Sequence, residues 1–138
     1  MAAEMIRIEG SAAGVAAAAR AFDAFSERHH LPGAVVQAAQ VALDEVLSNV
    51  VKAGFEPGAL RSVEVSLEIK DGALEMGVSY NGLEFDPLAR HDPDTLTGLD
   101  DRPVGGLGIY LVKKLMDAAS YDRIGGTNRL HMTKRIPA

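Results

Sequence analysis

Apolar residues recur along this chain with two different periods, and the switches between them mark its elements. Residues 5–9 alternate apolar and polar side chains, the two-residue period of a short strand. Gly10-Ser11 then supplies a turn and a helix N-cap, predicting a helix to about His30 with Ala16, Ala19, Phe22 and Phe25 along one face. Leu31-Pro32-Gly33 breaks it. A second helix is predicted over about 34–53, so rich in Val, Ala and Leu that it must be largely buried. Between 61 and 70, Val63, Val65, Leu67 and Ile69 alternate with polar neighbours, which reads as a strand. Asp71-Gly72 is a tight-turn pair, and 73–80 runs back with Leu74, Met76 and Val78 inward. Helical spacing returns at Ile109, Val112, Leu115 and Met116, before strands over 118–124 and 128–136 joined by Gly125-Gly126-Thr127.

The order is therefore β-α-α-β-β-loop-α-β-β, with two hairpins and no repeated βαβ unit. It predicts an α+β fold: a two-layer sandwich whose sheet is mixed but mostly antiparallel, with helices on one face. One domain fills residues 1–138. The connection over 81–104 holds Gly82, Pro87, Pro93, Gly98 and Pro103, and a loop of that length in a compact domain is usually functional or disordered.

Composition excludes several classes of chemistry. There are no cysteines, so neither disulfides nor thiolate metal sites are available. The four histidines do not fall at metal-ligand spacings, and His29-His30 suits a helix C-terminus, where imidazolium complements the dipole. A net charge of −5 argues against general nucleic-acid binding. The alanine-rich stretch 10–19 follows Glu4, Arg7 and Glu9 rather than a net positive segment, unlike a secretory signal. No run approaches the roughly 20 apolar residues of a membrane span. A soluble cytoplasmic protein is expected.

Three short boxes carry candidate chemistry. In the second helix, Glu45 and Asn49 are four residues apart and share one side of an otherwise apolar helix, where a carboxylate and an amide are costly unless satisfied. Glu45 could equally face solvent, and Asn49 could cap the helix end. At the end of the first hairpin, Tyr80-Asn81-Gly82-Leu83-Glu84-Phe85-Asp86-Pro87 places a glycine where backbone can approach a flat ligand such as a base, or where an ordinary Asn-Gly turn is made. The third box, Gly105-Gly106-Leu107-Gly108-Ile109, opens directly onto a helix, and a glycine-rich helix N-terminus welcomes an anion.

Taken together, the order of these boxes resembles the ATP-binding fold shared by gyrase, Hsp90, histidine kinases and MutL. More narrowly, it looks like the stand-alone serine/threonine kinases that act as anti-sigma factors in bacterial partner switching. The resemblance runs from the first helix to the last strand. It implies ATP and Mg²⁺ as cofactors, with Asn49 on the metal and Glu45 as the base that deprotonates or orients an incoming serine hydroxyl. It implies Gly82, Phe85, Gly105, Gly106, Leu107, Gly108, Ile109 and Thr127 as nucleotide-binding residues, with 88–104 as a lid. A sigma factor and an anti-anti-sigma protein with a STAS domain are the implied partners, with no direct nucleic-acid or membrane contact; whether the chain forms a homodimer is left open.

The chain departs from that pattern at Tyr80, where relatives carry an aspartate whose carboxylate accepts a hydrogen bond from the adenine amino group. Glu84 and Lys52-Ala53 also depart, from a glycine and a histidine. The alternative function is a kinase-fold binding module with impaired nucleotide use, acting by sequestration only. The catalytic domain of a sensor histidine kinase ranks third, because the dimerisation helices and phosphoacceptor histidine would have to come from a separate chain.

Overall fold

The computed structural model describes residues 2–89 and 106–137. Its elements are β1 (Ala2–Glu9), α1 (Ala12–Arg28), α2 (Gly33–Ala53), β2 (Ser62–Lys70), β3 (Ala73–Asn81), a 3₁₀ turn (Pro87–Ala89), α3 (Gly106–Leu115), β4 (Ala118–Ile124) and β5 (Thr127–Arg135). The five strands form one sheet in the order β1-β2-β3-β5-β4. Every neighbouring pair is antiparallel, which corrects the mixed sheet expected from the sequence. If each long element reverses the chain, β1, β3 and β4 run one way and β2 and β5 the other. In the observed order, each strand then meets only strands of opposite direction.

The hairpins form where their turn residues demand it. Asp71 and Gly72 have φ of 53° and 75°, and Gly125 and Gly126 have 58° and 81°, the pair of left-handed conformations that matches the twist of the strands they join. Ser11 caps α1 as expected, its Oγ accepting from the Gly14 N–H at 3.2 Å. The helix begins so close to β1 that a Cβ on Gly14 would lie 1.8 Å from the Glu9 carbonyl oxygen.

The buried stripe of α1 is Gly14, Ala18, Phe22, Phe25 and Ser26, which corrects the face drawn from the sequence. Ala16 and Ala19 are exposed. Steps of three residues each fall about 60° short of a full turn, so a stripe traced back from Phe25 in threes leaves the buried face by Ala19.

Helix-facing residues from neighbouring strands sit side by side in the core. Val65 pairs with Val78 and Val78 with Leu130, while Leu67 pairs with Met76 and Met76 with Met132; all six are buried. Against them pack Phe22, Phe25, Val35, Leu43, Val46, Val50 and Val112. The other sheet face is polar, with Arg7 bridging to Glu64 at 2.5 Å and Arg129 to Asp122 at 2.8 Å, exposed pairs that stabilise little.

α2 is the central helix of its layer. It spans 21 residues with a mean hydropathy of 1.2, long and apolar enough by composition to cross a membrane. That corrects the reading that no run approaches that length. Half of that stretch is buried, against α1, α3 and the sheet, so the packed core accounts for its apolar character.

Because Phe22 is fully buried where α1 meets α2 and the sheet, Phe22→Ala is expected to cost about 3–5 kcal/mol of unfolding free energy, measured by urea titration.

Candidate functional site

The two flanks of α2 have different neighbours. Gln40, Leu43 and Leu47 line a small groove with Val15, Ala19 and Phe22 of α1, and the Gln40 amide donates to Asp23. At 100° per residue, Ala38, Ala42, Glu45 and Asn49 fall on the opposite flank, and α3 is the other helix against which α2 packs. Asn49 is 5% exposed. Its Nδ2 donates to the Glu45 carbonyl at 2.6 Å, and because a carbonyl only accepts, the amide orientation is fixed. Among the described residues Oδ1 accepts no hydrogen bond. A buried acceptor left in that state costs about 1–3 kcal/mol, and an amide oxygen is a donor of the kind Mg²⁺ takes. One turn earlier, Glu45 is half-buried, and its carboxylate has no partner among the described residues.

α3 is anchored at its far end. Lys134 Nζ donates to the Leu115 carbonyl at 2.7 Å, the Asp117 N–H to the Thr133 carbonyl at 2.9 Å, and the Arg135 N–H to Asp117 Oδ2 at 2.6 Å. Val112 and Met116 are buried in the core. These contacts fix the axis, and the N-terminal turn over 106–109 carries the expected Gly106, Leu107, Gly108 and Ile109. An α-helix starts with unpaired N–H groups and the positive end of its dipole, a setting for phosphate. Gly105 and residues 90–104 of the expected lid over 88–104 lie outside the described residues.

The second box, Tyr80 to Pro87, is a closed polar knot. Tyr80 is 2% exposed and its hydroxyl donates to the Phe85 carbonyl. Burial raises its pKa well above the ordinary tyrosine value, with Tyr121 and Asp86 adding to the shift and Arg123 opposing it. Asn128, fully buried, donates from Nδ2 to the carbonyls of Tyr80 at 3.2 Å and Leu83 at 3.0 Å. Its Oδ1 accepts from the Tyr121 hydroxyl at 2.5 Å and Arg123 Nη1 at 2.9 Å, while Arg123 Nη2 donates to the Gly82 carbonyl at 3.1 Å. Asp86 accepts the Leu88 N–H at 2.8 Å, starting the 3₁₀ turn. Phe85 is half-buried.

Residues 8–134 match the family model of the histidine kinase-like ATPase domain. The chain belongs to that family. It is similar to a serine/threonine-protein kinase, BtrW, of Bordetella bronchiseptica, 33% identical over 90 residues that cover 65% of this chain and 63% of that protein. It is also similar to a serine-protein kinase, RsbW, of Listeria monocytogenes, 32% identical over 82 residues that cover 56% of this chain and 52% of that protein. The chain thus matches between about half and two thirds of the length of these relatives. A crystal structure of the RsbU and RsbW domains of Rv1364c from Mycobacterium tuberculosis superposes with a TM-score of 0.73 over the whole chain and 34% of that protein, at 13% identity. That likeness establishes a shared fold.

Within the ATPase domain, two of the residues expected at the nucleotide make close contacts within the chain itself. Thr127 Oγ1 donates to Asn81 Oδ1 at 2.7 Å on the sheet face away from the helices. Strand parity puts its neighbour Asn128, not Thr127, beside Tyr80. Gly82 is required by the chain's own packing: a Cβ there would lie 2.1 Å from the Gly54 carbonyl oxygen and 3.1 Å from the Phe55 ring. Asn128, Arg123 and Gly54 were missed from the sequence. A signal existed for Asn128, which interrupts the helix-facing stripe Asn128-Leu130-Met132.

Two outcomes follow from this corner. Gly82→Ala should lower stability by about 1–3 kcal/mol, because backbone must shift to admit the methyl group; denaturant titration measures it. The raised Tyr80 pKa favours the protonated folded state, so its contribution is complete below about pH 10 and is lost as pH rises beyond that value. In alkaline denaturation curves, Tyr80→Phe should flatten the fall in stability above that pH.

Proposed function

We propose that this chain is a Mg²⁺-ATP-dependent protein serine kinase and anti-sigma factor, acting in the cytoplasm. In this reading it binds a sigma factor and phosphorylates a serine of a STAS-domain antagonist. The observation that carries the reading is the buried Asn49 amide oxygen without a partner among the described residues, one turn from the half-buried carboxylate of Glu45. Both lie on the flank of α2 away from α1, and α2 packs against α3, whose first turn carries the glycine cluster.

The residues fit the cofactors. Asn49 Oδ1 would hold Mg²⁺, and the backbone amides of Gly105, Gly106, Leu107, Gly108 and Ile109 would meet the phosphates. Phe85 would flank the base. Bound Mg²⁺ and ATP supply charge neutralisation and the γ-phosphoryl group. Glu45 would take the proton of the incoming serine hydroxyl at its carboxylate, with ATP supplying the phosphoryl group that the serine oxygen receives and ADP as the leaving group. Phosphoryl transfer asks mainly for positioning and charge stabilisation, and a positioned base adds about 10²–10⁴ in rate.

A second reading, sequestration without catalysis, draws on Tyr80, whose hydroxyl is committed to Phe85. One experiment separates the two. Incubation with labelled ATP and the antagonist should give transfer that falls at least about 100-fold in Glu45→Ala, with sigma-factor binding retained. Equal, background-level transfer by wild type and variant would reject the kinase, and sigma-factor binding by both would leave sequestration.

A further inference from the structure

On the helix-facing side of the sheet, the cross-strand rows change character where β3 and β4 end. Val65, Val78 and Leu130 stand opposite one another across β2, β3 and β5, as do Leu67, Met76 and Met132. The last row is Val63, Tyr80, Asn128 and Arg123, across β2, β3, β5 and β4. Its three polar members come from three strands, and each donates to a different carbonyl of the segment that follows β3. Tyr80 bonds Phe85, Asn128 bonds Leu83 at 3.0 Å, and Arg123 bonds Gly82 at 3.1 Å. Residues 82–86 have no regular secondary structure of their own. These bonds, with the one from the Leu83 N–H to the Gly54 carbonyl at 2.8 Å, fix the course of the segment.

Arg123 holds the segment twice. Its half-buried guanidinium donates from Nη2 to the Gly82 carbonyl and from Nη1 to Asn128 Oδ1 at 2.9 Å. Donation to that oxygen orients the amide, so that Nδ2 faces the Tyr80 and Leu83 carbonyls. Hydrogen bonds from a cation are stronger than neutral ones. The planar guanidinium reaches two acceptors at a fixed separation, which the point charge of a lysine ammonium does not reproduce.

We infer that Arg123 is a positioning residue for the nucleotide: by fixing segment 82–86 it holds the Phe85 ring against the base. The inference rests on the nucleotide reading above, in which Phe85 flanks the base, and adds to it a residue of β4 that acts through Phe85. Tyr80 and Asn128 are buried, and replacing them would disturb the core. Arg123, half-buried at the end of the row, is the member to change.

The test is a double-mutant cycle on Mg²⁺-ATP affinity. Wild type, Arg123→Lys, Phe85→Leu and the double variant are titrated by calorimetry, after thermal melting followed by circular dichroism. Arg123→Lys keeps the charge and loses the fork. It is expected to melt cooperatively and to raise the ATP Kd at least about tenfold, the scale of one charge-assisted hydrogen bond. In the Phe85→Leu background the same change should raise Kd by less than about threefold, because the ring that Arg123 positions is gone. A smaller rise in Arg123→Lys, a rise of about threefold or more in the Phe85→Leu background, or loss of cooperative melting overturns the inference and leaves the nucleotide reading standing. Failure of the wild-type chain to bind ATP overturns both.

Discussion

The carbonyl oxygen of Gly54, one residue beyond α2, faces the Cα of Gly82 at the end of β3, so near that a Cβ would stand 2.1 Å away. The same oxygen accepts the Leu83 N–H at 2.8 Å. Three segments meet at this corner. The Phe55 ring lies edge-on to Tyr80 at 6.0 Å between centroids and under the Arg61 guanidinium at 5.9 Å. Gly10, just past β1, comes so close that a Cβ would meet Phe55 and Arg61 at 2.9 Å, and its N–H donates to the Arg61 carbonyl at 3.0 Å. Arg61 Nη1 also reaches the Val51 carbonyl near the end of α2 at 3.4 Å. The helix that carries Glu45 and Asn49 and the strand that leads to Phe85 are thereby held in one fixed relation. A methyl group at Gly82 would force them to shift.

Two asparagines show how much the surroundings of one side chain matter. Asn49 and Asn128 are both buried. Asn128 uses its amide fully, as donor to two carbonyls and acceptor from two side chains, and so acts as a structural cross-link among β3, β4, β5 and the loop after β3. Asn49 binds only backward along its own helix and leaves an oxygen unsatisfied among the described residues. The first arrangement stabilises the chain; the second costs stability unless something else supplies the missing partner. That asymmetry turns a shared fold into an argument about a site.

Much of the architecture was legible because it follows from local rules. Asp71-Gly72 and Gly125-Gly126 predict hairpin turns whatever surrounds them, since few residues tolerate two successive left-handed conformations. Alternation in β2 and β3 names the inward residues, and Ser11 announces the start of α1. The departure at Tyr80 was also visible as a residue type. Its consequence was not: the phenol turns to the Phe85 carbonyl inside the core, a contact between a strand and the loop it leads into.

Sequence alone determined the order of elements, the two hairpins, the apolar α2 and the Glu45-Asn49 spacing on one side of it. Each depends on backbone preference or on periodicity within a single element. Only the tertiary structure decided which way neighbouring strands run, that Asn128 rather than Thr127 faces the helices beside Tyr80, and that Gly82 packs against the Gly54 carbonyl. Those outcomes depend on groups tens of residues apart approaching within hydrogen-bond or van der Waals distance. Neither propensity nor spacing encodes which buried oxygen finds a partner and which does not.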